Sequence, residues 1–359
     1  MNVNVKDASA DDKQAACYHR LRDTLLAKRY EDRLTKPLGY WALPNDRRLP
    51  QALLEFPLEE VLARSFEELA ATRGIGQKKI ESLFVLLARA AGDQAPGADL
   101  IEVQNKPSEE NWASAGTNGR DGLGNFNPGV VSEALWQQWQ ASVRESGVAD
   151  MTIGLVVPSL DRVPSVIWQA PLSRYADKSL AEIRAMRTHG VKRMGVILQA
   201  FYFVHRAWQE TRDAAAVRAA LVPTFIAPIE RWLAECADRK TAPGEDALRA
   251  QLIEPLLAQI QVDCGEMVAK LARDRIGLDG RPMSVRSQAR RLIVTRARIY
   301  QIFEQCGKAM EVRWPEGRDR LRAFESAVYR QPTDSLAARL LAAAIELCYP
   351  RRFEHDGAA

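Results

Sequence analysis

Phe66-Glu67-Glu68-Leu69-Ala70-Ala71-Thr72-Arg73-Gly74-Ile75-Gly76-Gln77-Lys78-Lys79-Ile80 is the stretch around which the chain reads as organised. It predicts a short helix, a tight Gly-Ile-Gly turn and a second helix that opens on two lysines. Glycine at Gly74 and Gly76 allows φ > 0 and lets another backbone approach closely. The amides that begin the second helix have no intrahelical acceptor and carry the positive end of the helix dipole. With Lys78 and Lys79 beside them, those amides suit a phosphate.

The pattern returns further along. Shifted by 114 residues (162 − 48), the chain matches itself without gaps. Arg48 falls on Arg162, Pro50 on Pro164, Pro57 on Pro171 and Leu58 on Leu172. Ser65 then meets Ser179, Glu68 meets Glu182, Arg73 meets Arg187, Gly76 meets Gly190 and Lys78 meets Lys192. Identities spread over the hydrophobic frame and the turn indicate a duplicated domain rather than a chance motif. The second turn, Arg187-Thr188-His189-Gly190-Val191-Lys192-Arg193, keeps Gly190 and the basic pair Lys192 and Arg193 but lacks the first glycine. Both copies follow the helix-hairpin-helix pattern, which grips a DNA backbone without reading bases.

A second chemical signal runs from Arg275 through Gly277-Leu278-Asp279-Gly280 to Ile302. Ser284 is placed to cap one short helix and Thr295 the next. Ala289 is small where two helices of a helix-turn-helix cross. Ile299, Ile302, Phe303 and Cys306 form the i, i+3, i+4, i+7 stripe of a buried face. That leaves Arg296, Arg298, Tyr300 and Gln301 outward in the first turns, an array suited to a major groove, where Arg pairs with guanine and Gln with adenine. A structural helical hairpin with an Arg-rich exposed side gives the same pattern.

Composition sets the frame. With 359 residues and 47% apolar content, the chain can bury two or three cores. The formal net charge is only +4, yet Lys270 to Arg330 holds fifteen Lys and Arg against seven Asp and Glu. Such asymmetry fits either one face meant for a polyanion or a solvated Arg-rich helix surface. Cys17, Cys236, Cys264, Cys306 and Cys348 form no Cys-x-x-Cys pair, and the four histidines supply no zinc-ligand spacing. An odd number of scattered thiols fits a reducing compartment. The opening Met-Asn-Val-Asn-Val-Lys-Asp has no apolar core of a leader, and no run approaches a membrane span. A cytoplasmic, nucleoid-associated protein is the expectation. Clustered carboxylates at metal-ligand spacing, a P-loop and a nucleophile motif are all missing, so no enzyme, cofactor or metal is expected. The glycines between Gly116 and Gly129 lack the Gly-x-x-x-x-Gly-Lys-Ser/Thr spacing. His205, within an apolar helix, reads as a satisfied or exposed helix histidine.

The two repeated segments, about residues 44–91 and 158–208, resemble the C-terminal domain of the bacterial RNA polymerase alpha subunit. That resemblance implies a hold on the DNA minor groove, with Gly76 and Lys78 in the backbone-contacting positions of the first copy, Gly190 and Lys192 in the second. The segment from about Met267 to Arg313 resembles region four of the main sigma factors, through Thr295-Arg296-x-Arg298-Ile299-x-Gln301-Ile302 and the preceding Gly277-Leu278-Asp279-Gly280. It implies DNA contact by Arg296, Arg298 and Gln301. It departs at Ala297, where the family has a base-accepting glutamate, and at Gln288, where the family is apolar. No segment resembles the aromatic-rich sigma region that binds core polymerase, so a self-sufficient sigma factor is not expected.

The expected organisation is mainly α and multi-domain. An N-terminal helix and connector (1–43) precede the first helix-hairpin-helix domain (44–91). A flexible linker (92–130) leads to the second (131–212), and a helical connector (213–263) to a helix-turn-helix unit (264–331) and a C-terminal helix (332–359). The functional expectation is a non-enzymatic, transcription-associated regulator of duplex DNA, with RNA polymerase as a candidate partner. The alternative is a protein-interaction scaffold, for example polymerase-associated, with little direct DNA binding.

Overall fold

A computed structural model describes residues 10–98, 101, 127–239, 242–328 and 335–350. Within them the chain is mainly helical, without strands apart from the isolated bridges Pro37–Pro57 and Thr152–Pro171. Most of the expected linker at 92–130 lies outside the described residues. The chain divides into two compact units. The first takes residues up to 107 with 125–141 and 178–189, the second 142–177 and everything from Gly190 onward.

The first unit contains α1 (Ala10–Leu25), α2 (Leu58–Ala63), α3 (Phe66–Ala71), α4 (Gln77–Ala91), the start of α5 (Glu133–Glu145) and α6 (Leu180–Ala185). Sequence periodicity predicts one helix from about Asp11 to Arg33, but α1 stops at Leu25 and Ala27 turns extended (φ −65°, ψ 142°). The break serves the far end of α4. Tyr30 Oη donates to Ala91 O at 2.7 Å, and Arg33 Nη1 donates to Ala90 O at 2.5 Å and Gly92 O at 2.6 Å. Those carbonyls have no donor within their own helix, and a cation suits the negative dipole end. The opposite end of α4, at Gly76, carries no side-chain cap.

The duplication is written into the backbone. α3 and α6 each start on a reciprocal capping box, Ser65 with Glu68 and Ser179 with Glu182. The carbonyl before each cap is held by an aromatic donor: Tyr18 Oη reaches Arg64 O at 2.8 Å, and Trp136 Nε1 reaches Lys178 O at 2.7 Å. The 3-10 turns Gln51–Leu53 and Ser165–Ile167 correspond. Arg48 (φ 61°) and Arg162 (φ 63°) both adopt the left-handed region. Upstream the correspondence continues with one residue inserted: Gly39 N donates to Leu54 O at 2.8 Å and Gly154 N to Trp168 O at 2.9 Å. A Cβ at Gly39 would lie 3.2 Å from the Leu54 carbonyl oxygen, and one at Gly154 would lie 2.8 Å from that of Trp168.

The second unit continues through α7 (Val191–Thr211), α8 (Ala214–Leu221), α9 (Ile226–Arg239), α10 (Glu254–Cys264), α11 (Glu266–Ile276), α12 (Val285–Leu292), α13 (Arg296–Arg313), α14 (Gly317–Val328) and α15 (Leu336–Cys348). Leu252, Leu256, Ile260, Met310, Leu321 and Leu341 lie in one apolar core of this unit. In the same unit a buried guanidinium meets a buried carboxylate. Arg313 Nη2 lies 2.6 Å from Asp263 Oδ1, both side chains 1% exposed. Arg313 Nη1 also donates to Gly154 O at 2.8 Å and Val157 O at 2.6 Å, while Asp263 accepts from Leu160 N and Gln259 Nε2. Every polar atom of the pair is thus engaged, as burial of charge requires.

The thiols are not as scattered as their spacing implies. Cys264, Cys306 and Cys348 converge on this core. A hydrogen bond with the Cys306 thiol, reinforced by burial, drives the Cys264 pKa far upward. Burial, then the neighbouring Cys264, pushes Cys348 up to about 12. All five cysteines are free.

Candidate nucleic-acid interface

The turn between α3 and α4 places its residues as follows. Gly74 is left-handed at φ 85°, Ile75 is buried as a plug, and Gly76 precedes α4 with extended backbone. Within 4 Å of a Cβ position on Gly76 there is no other atom, so the approach to the first amides of α4 is open. Lys78 is exposed, whereas Lys79 is half-buried and its Nζ donates to Gly74 O at 2.6 Å. The two lysines therefore divide roles: Lys79 closes the turn and Lys78 faces out. Ser82 Oγ, one turn beyond Lys78, donates to Arg47 O at 3.4 Å. That bond lays the exposed Arg47–Arg48 corner beside the start of α4.

The corresponding turn in the second copy adopts the same backbone with different residues. Thr188, in the place of Gly74, is left-handed at φ 71°. His189 replaces Ile75 and is buried, its Nδ1 3.1 Å from Arg187 O. Gly190 again has open space around its Cβ position, Lys192 is exposed and Arg193 half-buried. A further difference is Val191, 81% exposed, which stands where the first copy has Gln77.

The third basic surface is carried by α12 and α13. Val285, Ala289, Ile299 and Ile302 pack with Leu271 of α11 in a small separate core. The stripe read from the sequence is thereby inward, and Arg296, Arg298, Tyr300 and Gln301 are all exposed. Gln288 is fully buried, and its Nε2 donates to Leu271 O at 2.8 Å. The polar residue at this core position is a strap between α12 and α11. Ser284 and Thr295 cap their helices by accepting from Ser287 N and Arg298 N.

Charge is partitioned sharply across this region. Arg273 pairs with Glu254 and Asp279, Arg291 with Asp274, Arg313 with Asp263, Arg318 with Glu311, and Lys308 with Glu304. Among the described residues no carboxylate pairs with Arg286, Arg290, Arg296 or Arg298. Lys270, Arg275, Arg281 and Arg322 likewise have no carboxylate partner among the described residues, so part of the excess basic charge of Lys270 to Arg330 lies on α12 and α13. There Arg286, Arg290, Ile293, Val294, Thr295 and Arg296 line an open concavity. Arg286 and Arg290 were not singled out by motif; their i, i+4 spacing on the outer side of α12 is the signal that finds them.

His205 of α7 is half-buried, with Nδ1 2.8 Å from Ser142 Oγ. Burial, aided by Arg212, lowers its pKa to about 4, so the ring is neutral near pH 7. Among the described residues no group of three or more His, Cys, Asp or Glu is placed to hold a metal ion, and no helix is long and apolar enough to cross a membrane. No protein-family model, curated protein or solved structure matches the chain.

Proposed function

We propose that this chain is a non-enzymatic DNA-binding protein, a transcription-associated regulator in which two helix-hairpin-helix units grip backbone and α12–α13 act as a helix-turn-helix. The observation that carries the reading is the partition of charge on α12 and α13. Arg273, Arg291, Arg313, Arg318 and Arg320 are held by carboxylates, while Arg286, Arg290, Arg296 and Arg298 of α12 and α13 are exposed without one, as are Tyr300 and Gln301. Guanidinium and amide groups on the first turns of a helix are the side chains that pair with guanine and adenine edges. Lys78 and Lys192, each beside uncapped helix-initial amides, support backbone contact by the two hairpins. Each module alone binds weakly. Tethering them on one chain raises the effective concentration of the later contacts.

The test is fluorescence anisotropy of the purified protein on a random duplex, titrated with salt. Affinity should fall steeply with salt and weaken in both Lys78→Glu/Lys192→Glu and Arg296→Ala/Arg298→Ala. No binding at low salt sinks the proposal.

One observation favours the second reading, a protein-interaction scaffold. Val191, an exposed apolar side chain of the second copy, puts hydrocarbon where a phosphate-gripping turn needs none. On that reading Lys78→Glu/Lys192→Glu leaves activity unchanged, and RNA polymerase is the first partner to test by pull-down.

A further inference from the structure

We propose that the turn between α12 and α13 reads the C5 methyl group of thymine, with Ile293 and Val294 as the contacting side chains. The inference rests on the DNA-binding reading of α12–α13 and adds a base preference to it.

The turn is built against ordinary backbone economy. α12 closes with the amide of Val294 on Ala289 O at 3.0 Å and that of Ile293 on Arg290 O at 3.3 Å. This is the paired closure that puts the residue after the cap in the left-handed region, where glycine is the usual choice. Here the position holds Ile293 at φ 56°. A β-branched side chain in that region is a true outlier, because its Cβ crowds the following carbonyl. Packing does not explain the choice, since Ile293 is 93% exposed. Backbone strain persists where a function needs the residue. The side chain is also the wrong kind for solubility, and Val294, 39% exposed, extends the same apolar tip.

The surroundings narrow the occupant. The tip lines one open concavity together with Arg286, Arg290 and Arg296, so the partner is anionic around a small apolar feature. Two aliphatic side chains are far smaller than the roughly 800 Å² per partner of a stable protein interface. They suffice to cover a group as small as a methyl. In the major groove the thymine methyl is the one aliphatic group a base presents, and phosphates flank the groove at guanidinium reach. The tip immediately precedes Arg296 and Arg298, which places it at the leading end of the helix proposed to face the bases.

Thymine-to-uracil substitution removes that methyl and nothing else. The full chain is used to select a preferred duplex, and anisotropy then compares it with versions carrying deoxyuridine at each thymine in turn. The expected result is a loss of about fourfold at one or two positions, the factor for burying one methyl group. Ile293→Gly with Val294→Ala should bind thymine and uracil versions alike, and the difference should already narrow with Ile293→Gly alone. That single variant should also melt at a higher temperature than the parent, because glycine suits the left-handed turn and the exposed Ile293 side chain contributes no buried packing. Equal binding of both versions by the parent protein, with Arg298→Ala still altering sequence preference, overturns the methyl reading while base readout by α13 stands. In that case Ile293 is left as a protein-facing residue. Absence of duplex binding at low salt overturns the underlying DNA reading and this inference together.

Discussion

Side-chain choice and backbone conformation diverge most clearly at the left-handed positions. Gly74 and Thr188 share one turn conformation, as do Arg48 and Arg162, although only Gly74 is suited to it. Conformation thus survives the loss of the residue that favours it, because the surrounding helix ends dictate the turn. His205 shows the same dominance of environment over side-chain identity. Its pKa, lowered to about 4 by burial and then by Arg212, lies below the ordinary 6.5. As pH falls, the unfolded chain takes up the proton first, so stability is full above about pH 6.5 and is lost progressively toward about pH 4. The urea midpoint should decline across that window. In His205→Gln that part of the slope should be absent, and an unchanged slope would assign it to other groups.

At the scale of elements, the reading from sequence succeeds where a short pattern is closed by local chemistry. Ser284 and Thr295 cap helices as their positions imply, the repeated pairs Ser65–Glu68 and Ser179–Glu182 form matching capping boxes, a role the repeat alone does not announce, and the stripe Ile299, Ile302, Cys306 is buried. It fails where a distant group decides. Nothing local to Ala27 announces that the first helix breaks so that Tyr30 and Arg33 can close α4. Gln288 departs from an apolar pattern because Leu271 O lies within reach from another helix. The largest omission is Asp263–Arg313, fifty residues apart in sequence and fully enclosed. Removing one partner leaves an uncompensated buried charge, so Asp263→Ala should cost about 3–5 kcal/mol. The double replacement Asp263→Leu/Arg313→Met should recover much of that loss. Chemical denaturation of the three proteins decides it; equal destabilisation by single and double variants would mean that packing, not charge pairing, dominates there.

For the whole molecule, net charge conceals the local pattern, because a near-neutral total of +4 includes a segment rich in arginine in which some cations are ion-paired and others are not. What remains unpaired at the edge of α12 and α13 falls into two sets with different expected duties. Arg286 and Arg290 sit on α12, the helix that crosses the backbone in a helix-turn-helix, and phosphate contact carries no sequence information. Arg298 and Gln301 sit on α13, the helix proposed to face the base edges. Removing the cation from one phosphate should reduce the slope of log affinity against log salt by about 0.9. Arg286→Gln/Arg290→Gln should therefore flatten the slope by about two units and weaken all duplexes alike. Arg298→Ala/Gln301→Ala should instead change which sequence is preferred. Salt titrations on a preferred duplex and a scrambled one separate these effects. If the α12 pair alters sequence preference and leaves the slope intact, α12 rather than α13 enters the groove, and the assignment of the two helices has to be exchanged.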